Sequence, residues 1–240
     1  MQHWWFPANG SSYGGQLDTM FLVILYITGA VFFVVEIGLV LFLFKYRRRE
    51  GVKASYVLGS TRAEIIWTTI PAVTCIALAL VSQPLWSKIK DPARIPEGAI
   101  ALDVTGKQFE WHIRYPGPDG RLGTDDDFEK RNELHVIVDR DYRIRLQAED
   151  VIHSFFVPVW RFKQDAVPGM QIHAWFRPTR TGAFEMACAE LCGLGHYRMR
   201  ARVFVQTAEE FERWQSTQVA PPAPAAAAPG TAPQTARTAS

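Results

Sequence analysis

The sequence predicts a hairpin of two membrane-spanning helices followed by an all-β domain of the Greek-key sandwich or barrel type. Two long apolar runs lie before residue 90. Short segments rich in β-branched and aromatic residues then recur between residues 99 and 206, with turn residues separating them. With 240 residues and 48% hydrophobic content, the chain can form one core domain in addition to the membrane segments. The formal net charge of +2 does not indicate a nucleic-acid partner.

The first apolar run extends from Met20 to Phe44 and contains one formally charged residue, Glu36, whereas the second, from Ile65 to Trp86, contains none. At about 1.5 Å of rise per residue, each run is long enough to cross a hydrocarbon core of about 30 Å as a helix. Because an ionisable group in a bilayer usually faces protein, Glu36 is expected to face a partner subunit. Cys75, in the second run, is expected to be a small buried hydrophobic residue.

Basic residues set the predicted orientation of the hairpin. The loop 45–62 between the two runs is rich in Lys and Arg, whereas residues 1–19 contain neither. The positive-inside rule therefore places the loop in the cytoplasm, and it places the N-terminal segment 1–19 and everything after the hairpin 20–90 outside. No basic stretch precedes the first run, which is longer than the apolar part of a signal peptide, so no cleaved signal peptide is expected.

Residues 91–215 form the predicted β domain, whose size is ordinary for a single core. Polar and apolar residues alternate from Arg143 to Gln147, which is typical of a strand with one solvated face. The predicted strands are 99–105, 109–115, 133–138, 142–147, 151–157, 171–176, 183–187 and 200–206. Thr207 and Glu210 form a capping-box pattern that predicts a short helix through Trp214. The Pro- and Ala-rich residues 216–240 are predicted to be a disordered tail.

The segment 188–199 concentrates possible metal ligands. Cys188 and Cys192 offer thiolates, His196 an imidazole and Met199 a thioether, and His153 offers a second imidazole upstream. Soft sulfur ligands combined with imidazole suit copper that cycles between two oxidation states. A mononuclear copper carrier uses one thiolate, so the second is surplus unless the two thiolates bridge two copper ions and spread one electron over both. The segment therefore predicts a binuclear copper site for electron transfer.

A disulfide between Cys188 and Cys192, or a zinc site, would be a competing interpretation of this segment. The disulfide leaves the imidazoles and the thioether without a role, and a thioether is a poor zinc ligand. The Gly- and Asp-rich segment 116–127 lacks the register and the closing Glu of a calcium loop, so a solvated acidic hairpin loop is favoured over a calcium site. No ligand role is expected for the remaining histidines, which are His3, His112, His135 and His173.

These segments resemble cytochrome c oxidase subunit II. The segment 188–199 matches the pattern C-x-E-x-C-G-x-x-H-x-x-M, His153 begins the sequence H-S-F-F-V-P, and Lys163 begins the sequence K-Q-D-A-V-P-G. A further sequence, E-I-I-W-T-T-I-P, begins at Glu64 and resembles the second membrane helix of the family. The resemblance covers the chain from about residue 20 to about residue 215.

The resemblance implies a cupredoxin fold for the β domain and the binuclear copper centre called CuA. The implied copper ligands are His153, Cys188, Glu190, Cys192, His196 and Met199. Glu190 would contribute its backbone carbonyl to copper and its carboxylate to a magnesium ion shared with subunit I. Glu64 would lie at the mouth of a proton-uptake path. Phe109, which replaces the Trp of many relatives, and Trp111 would take up electrons from the donor.

The implied function is electron uptake for an oxygen-reducing, proton-translocating haem-copper oxidase of a bacterial cell membrane. A periplasmic donor, cytochrome c or another protein, would reduce the copper centre. Electrons would then pass to haem in subunit I, where oxygen becomes water, and subunit III is a further expected partner. The sequence has no C-x-x-C-H motif, so no haem is expected in this chain. One alternative is the copper subunit of a nitric oxide reductase. A second is a structural subunit of a quinol oxidase, and only this second alternative is disfavoured by the complete set of copper ligands.

The donor is expected to differ from a mitochondrial-type soluble cytochrome c. Lys107, close to Phe109 in the sequence, would repel a basic cytochrome. The acidic run 125–127 would attract one from a different angle.

Overall fold

The computed structural model describes residues 6–218. It contains three α-helices within that range, α1 (Gly14–Lys45), α2 (Thr61–Lys90) and α3 (Ala208–Ser216), and ten β-strands. His3 and residues 219–240, which make up most of the predicted tail, lie outside the described residues.

The helices α1 and α2 extend beyond the two apolar runs of the sequence. They contain 32 and 30 residues, so each is roughly 45 Å long or slightly more. Their apolar windows are 0% buried by the chain itself, as expected of membrane spans. Cys75 is exposed on α2, so the expected burial of this thiol is wrong for the chain taken alone, because no other described element of the chain covers that surface.

The β domain is a sandwich of two five-stranded sheets. Their strand orders are β3-β2-β1-β5-β8 and β4-β10-β9-β6-β7. The pairs β1/β5 and β4/β10 are parallel and the other pairs are antiparallel, so sequence neighbours often lie in different sheets, as in Greek-key folds. The strands are β1 (Ile100–Lys107), β2 (Glu110–Tyr115), β3 (Phe128–Arg131), β4 (Glu133–Ile137), β5 (Tyr142–Ala148), β6 (His153–Val157), β7 (Phe162–Ala166), β8 (Ile172–Phe176), β9 (Gly182–Cys188) and β10 (Arg200–Gln206).

Aromatic side chains fill the space between the sheets. Along β2, Trp111, Ile113 and Tyr115 alternate inward and are buried, because successive side chains of a strand point to opposite faces. The stacked rings of Trp160, in the turn between β6 and β7, and Phe176, on β8, have centroids 4.5 Å apart and join the two sheets. The predicted all-β domain after a helical hairpin is therefore confirmed.

Two edge strands were not expected from the sequence. Strand β3 pairs only with β2, and β7 pairs only with β6, so each lies at the edge of its sheet within the described residues. Edge strands commonly carry charged residues that discourage further pairing, and β3 reads Phe-Glu-Lys-Arg, a pattern without apolar alternation. Val151 and Ile152, predicted as the start of a strand, lie instead in the exposed loop before β6.

Both ends of the helical hairpin are bonded to the β domain. Ahead of α1, the Ser11 hydroxyl donates a hydrogen bond to the Trp160 carbonyl at 2.7 Å. Within the first turns of α1, Asp18 pairs with Arg161 at 2.7 Å. At the end of α2, the Lys90 ammonium donates to the Lys163 carbonyl at 2.8 Å. The start of α1, the end of α2 and the β domain thus lie on one side of the two spans.

Candidate metal centre

The predicted ligands converge at one end of the sandwich. His153 is the first residue of β6 and Cys188 the last residue of β9, and these two strands are hydrogen-bonded neighbours. The loop 189–199 that joins β9 to β10, called the copper loop below, carries the remaining candidates. Strand pairing therefore brings a histidine and a cysteine that are far apart in sequence to the same edge, and the loop folds back over both.

The two sulfur atoms lie side by side, and each has its own imidazole. Cys188 Sγ and Cys192 Sγ are 3.8 Å apart, and both thiols are free. A disulfide requires about 2.05 Å, so the disulfide interpretation is not supported. Cys188 Sγ lies 3.9 Å from His153 Nδ1, and Cys192 Sγ lies 3.6 Å from His196 Nδ1.

Two weaker donor atoms border the pair of sulfurs. The Glu190 backbone carbonyl is 3.2 Å from Cys188 Sγ. Met199 Sδ is 3.7 Å from Cys192 Sγ. The cluster thus places two imidazoles and two weaker donors around two adjacent sulfur atoms. This donor set fits copper, because soft sulfur and imidazole ligands dominate it.

Burial shapes the acidity of the Cys192 thiol. The donor atoms of His153, Cys188 and Cys192 lie within 4.8 Å of one another, and all three residues are buried. Burial, together with the neighbouring Cys188, raises the pKa of Cys192 to about 11. Because thiolates are the metal ligands, a metal ion entering this site displaces protons from the thiols.

Asp150 fixes the orientation of the His153 ring. One Asp150 oxygen lies 2.8 Å from His153 Nε2, and the same carboxylate accepts hydrogen bonds from the Val151 and Gln108 amides at 2.7 and 2.8 Å. Burial would raise the pKa of Asp150, but these hydrogen bonds outweigh it and lower the pKa. An ionised Asp150 favours the Nε2–H tautomer of His153 and leaves Nδ1 free to bind a metal.

Two glycines allow other segments to approach the centre closely. A Cβ atom at Gly106 would lie 3.0 Å from the His153 ring, and one at Gly195 would lie 2.4 Å from Phe109 Cδ2. Normal carbon contacts are about 3.5 to 4.0 Å, so a side chain at either position would push the neighbouring ring away. The Phe109 ring therefore rests directly against the copper loop.

The structure separates the two aromatic candidates for electron uptake. Phe109 is half-buried against the loop, and the Arg198 guanidinium lies 6.0 Å above its ring. Trp111 is 0% exposed, with its ring 6.0 Å from that of His153. Phe109 is thus available to another protein, whereas Trp111 lies behind the site and offers no surface to a donor.

Several other candidates lie away from this centre. Glu64 is in the first turn of α2, roughly 40 Å of helix from the β domain. The segment 116–127 follows β2 and lies at the sandwich end opposite the copper loop, where Asp126 accepts from Thr124 at 2.6 Å. His112 is held between Glu110 and Glu129, and His135 is stacked on Trp214 with ring centroids 3.9 Å apart.

Sequence reasoning did not identify Asp150, Gln108 or Arg198 as residues of the site. Asp150 precedes His153 by three residues, a spacing that places a carboxylate beside an imidazole in a tight loop. Gln108 and Arg198 carried no comparable signal, because their proximity to the ligands arises from the packing of the β1–β2 hairpin on the copper loop.

The chain is similar to known proteins along most of its length. Residues 2–85 match the profile of the transmembrane domain of cytochrome c oxidase subunit II, and residues 101–206 match that of its periplasmic domain. The alternative cytochrome c oxidase subunit 2 of Bradyrhizobium diazoefficiens is 31% identical over 237 residues, which cover 90% of this chain and 84% of that protein. Cytochrome c oxidase subunit 2 of Thermostichus vulcanus is 31% identical over 265 residues, covering 89% and 78%.

A solved structure is also similar. The crystal structure of the periplasmic domain of cytochrome oxidase subunit II from Bradyrhizobium japonicum is 32% identical, with a TM-score of 0.46. The match covers 52% of this chain and 96% of that one.

The fold and the site define a membrane-anchored, copper-binding subunit with a cupredoxin-like domain. Two spans precede the β-sandwich, and the sandwich carries a cluster of ligands that suits copper. The chain belongs to the cytochrome c oxidase subunit II family. It is therefore part of a haem-copper oxidase, a respiratory oxidoreductase complex, and it partners with other oxidase subunits in a membrane.

Proposed function

We propose that this chain is the electron-uptake subunit of its oxidase and holds a binuclear copper centre. The observation that carries the proposal is the pair of free thiols 3.8 Å apart, each beside its own imidazole. One thiolate would suffice for one copper ion. Two thiolates beside two imidazoles would hold two copper ions, with the Glu190 carbonyl and Met199 as the weak ligands.

The chain's residues supply rigidity and insulation for this centre. Copper, when bound, supplies a one-electron redox couple. His153 and Cys188 stand on paired strands, so their separation is fixed by the backbone ladder. Asp150 holds the His153 ring in one orientation, and burial excludes water from both thiols. A site that is held in one geometry in both redox states reorganises little, which favours rapid electron transfer.

Electrons are proposed to arrive through Phe109. The Phe109 ring touches the copper loop at Gly195 and is half-buried, whereas Trp111, on β2, is buried next to the His153 ring. Phe109 therefore makes the contact with the donor, and Trp111 contributes packing that holds the distances short. Electrons then pass to haem in subunit I, where oxygen is reduced to water.

The donor is proposed to be a protein other than a basic, mitochondrial-type cytochrome c. Arg198 places a positive charge over Phe109, and Lys107 is paired with Glu149 at 3.0 Å beside it. A basic cytochrome would meet the Arg198 guanidinium where it has to approach the ring. The acidic run 125–127 lies at the far end of the sandwich, so it cannot compensate at this contact.

The remaining roles concern the neighbouring subunits. Glu64 is proposed to deliver protons to a path in subunit I, from a position at the helix N-terminus that favours a negative charge. The Glu190 carboxylate is proposed to bind a magnesium ion at the interface with subunit I, and subunit III is proposed as a further partner. The β domain and the N-terminus would face the periplasm, with the basic loop 46–60 in the cytoplasm.

Copper stoichiometry and electron spin resonance of the full chain in detergent test this proposal. The wild type should bind two copper ions and give about seven hyperfine lines, because one electron is shared by two nuclei. Cys188→Ser should lose this spectrum, since a hydroxyl cannot replace a bridging thiolate. Cys75→Ser, which alters a thiol on α2, is the matched control and should match the wild type. Saturation of the wild type at one copper ion would refute the proposal.

A further inference from the structure

Gln108 makes two hydrogen bonds that join separate parts of the copper site. It lies between β1 and β2, outside the ligand set. Its backbone amide donates to Asp150 Oδ2 at 2.8 Å. Its side-chain amide donates to the Cys192 carbonyl at 2.6 Å. One residue thus bonds both to the carboxylate that orients His153 and to the backbone of a cysteine ligand.

These bonds form a continuous bridge across the cluster. Cys192 accepts from Gln108, Gln108 donates to Asp150, and the other Asp150 oxygen binds His153 Nε2 at 2.8 Å. Cys188 Sγ lies beside His153, whereas Cys192 Sγ lies beside His196. The bridge therefore ties the His153 imidazole to the backbone of the cysteine that lies beside the other imidazole, independently of the strand pairing.

The copper loop is shaped to accept this bridge. Gly193, next to Cys192, has a φ of +131°, and a Cβ atom there would lie 2.8 Å from Gln108 Nε2. A side chain at 193 would displace the Gln108 amide from the Cys192 carbonyl. The glycine thus permits a contact that most residues would block, both by its backbone conformation and by its lack of a side chain.

The geometry points to Gln108 as a positioning residue of the copper centre, which holds the loop ligand Cys192 at a fixed separation from His153. This inference rests on the proposed copper site. Within the described part of the chain, Gln108 hydrogen-bonds to no ligand side chain, so it acts through the Cys192 backbone and through Asp150. A bridge of this kind restricts opening of the loop, which slows loss of bound metal and preserves the arrangement of the ligands. Outer partners of metal ligands typically change metal affinity by about 10-fold to 100-fold when removed.

Gln108→Met tests the inference, because it keeps the side-chain length and removes the amide donor. Copper-loaded full chain in detergent is mixed with excess chelator, and the decay of the copper absorption gives the release rate. We expect release about 10-fold faster than in the wild type, together with unequal hyperfine splitting from the two coppers. Gln215→Met is the control, since Gln215 also donates to a loop carbonyl, that of Pro116 at 3.2 Å, but lies in α3. It should leave both readouts unchanged.

A double-variant comparison tests whether Gln108 and Asp150 act through the same bridge. Asp150→Asn should also speed copper release, and the double variant should be no faster than the faster single variant, because both changes break one bridge. If Gln108→Met does not fold, Gln108→Asn, whose shorter side chain cannot reach the carbonyl, takes its place. Release at the wild-type rate with an unchanged spectrum would overturn the inference, even if the donor reacted more slowly. Such a result would leave the two-copper proposal intact, because the wild-type copper count tests that proposal separately.

Discussion

Substitution of Gly195 by Ala should destabilise the copper domain by steric overlap alone. Gly195 has a φ of −92°, which any residue adopts, so the backbone imposes no penalty. The new methyl group, however, would lie 2.4 Å from Phe109 Cδ2. Ordinary carbon contacts are about 3.5 to 4.0 Å, so the ring or the loop has to move by about 1 Å.

The expected cost follows from measured effects of overpacking. Additional carbon atoms in a packed site cost about 1 to 3 kcal/mol. For a domain of this size, each kcal/mol lowers the Tm by about 4 °C, so the expected decrease is about 4 to 12 °C. Thermal unfolding of the detergent-solubilised full chain, followed by near-ultraviolet circular dichroism, measures this change. Removal of the ring should relieve the overlap, and the Gly195→Ala substitution should cost less than about 1 kcal/mol in a Phe109→Ala background.

Gly15→Ala provides the matched control. A methyl group at Gly15 would lie 3.9 Å from the Asn9 amide nitrogen, an ordinary contact, and Gly15 lies in helix α1. This variant should be as stable as the wild type or more stable, because Ala favours helices over Gly by about 1 kcal/mol. The Tm of Gly195→Ala could instead stay within about 2 °C of the wild-type value, or Phe109→Ala could fail to relieve its decrease. Either result would show that Phe109 does not rest against the loop as described.

Three further predictions concern the copper centre, proton supply and the donor. Met199→Leu should preserve the fold and the copper loading, because the side-chain volume is nearly kept. It should shift the reduction potential of the copper centre and localise the unpaired electron, and an unchanged potential would exclude Met199 as a ligand. Glu64→Gln should slow turnover of the assembled oxidase while copper reduction by the donor stays fast. If the variant and the wild type have equal turnover at every pH, Glu64 has no role in proton uptake. Arg198→Gln and Phe109→Trp should each speed oxidation of mitochondrial-type cytochrome c, and the effect of Arg198→Gln should appear mainly at low salt. The exposed control Arg94→Gln should not change the rate. A wild-type rate that is already fast and insensitive to both changes would contradict the proposed donor preference.

The fold was largely predictable because its strongest signals are local. Two long apolar runs indicate spans by length alone, and β10, predicted as 200–206, forms over Arg200–Gln206, where alternation is regular. The capping box at Thr207 also forms, with Glu210 closing it, although the helix continues to Ser216. The edge strands β3 and β7 escaped prediction because polar residues dominate them, and their pairing depends on neighbours outside any local pattern.

The candidate ligands could be proposed from the sequence for a reason that does not apply to the residues around them. Cys188, Cys192 and His196 lie within nine residues, and their chemistry is recognisable without a structure. Gln108 reaches Cys192 across a separation of 84 residues, and no local pattern marks such a contact. Phe109 was identifiable as a candidate, whereas the Arg198 guanidinium above it was not, because the packing of two loops places it there.

The three attachments between the helical hairpin and the β domain hold the domain in place relative to the two spans. Some electron carriers swing on a tether between partners, and their rate depends on the length and flexibility of the linker. Here Ser11, Asp18 and Lys90 fasten the domain at both ends of the hairpin, and Trp175 adds a hydrogen bond to the Lys88 carbonyl at 3.1 Å. The domain is therefore held in one position rather than carried on a flexible linker. Under the proposed function, the donor comes to the domain, and the copper centre stays at a constant distance from its acceptor.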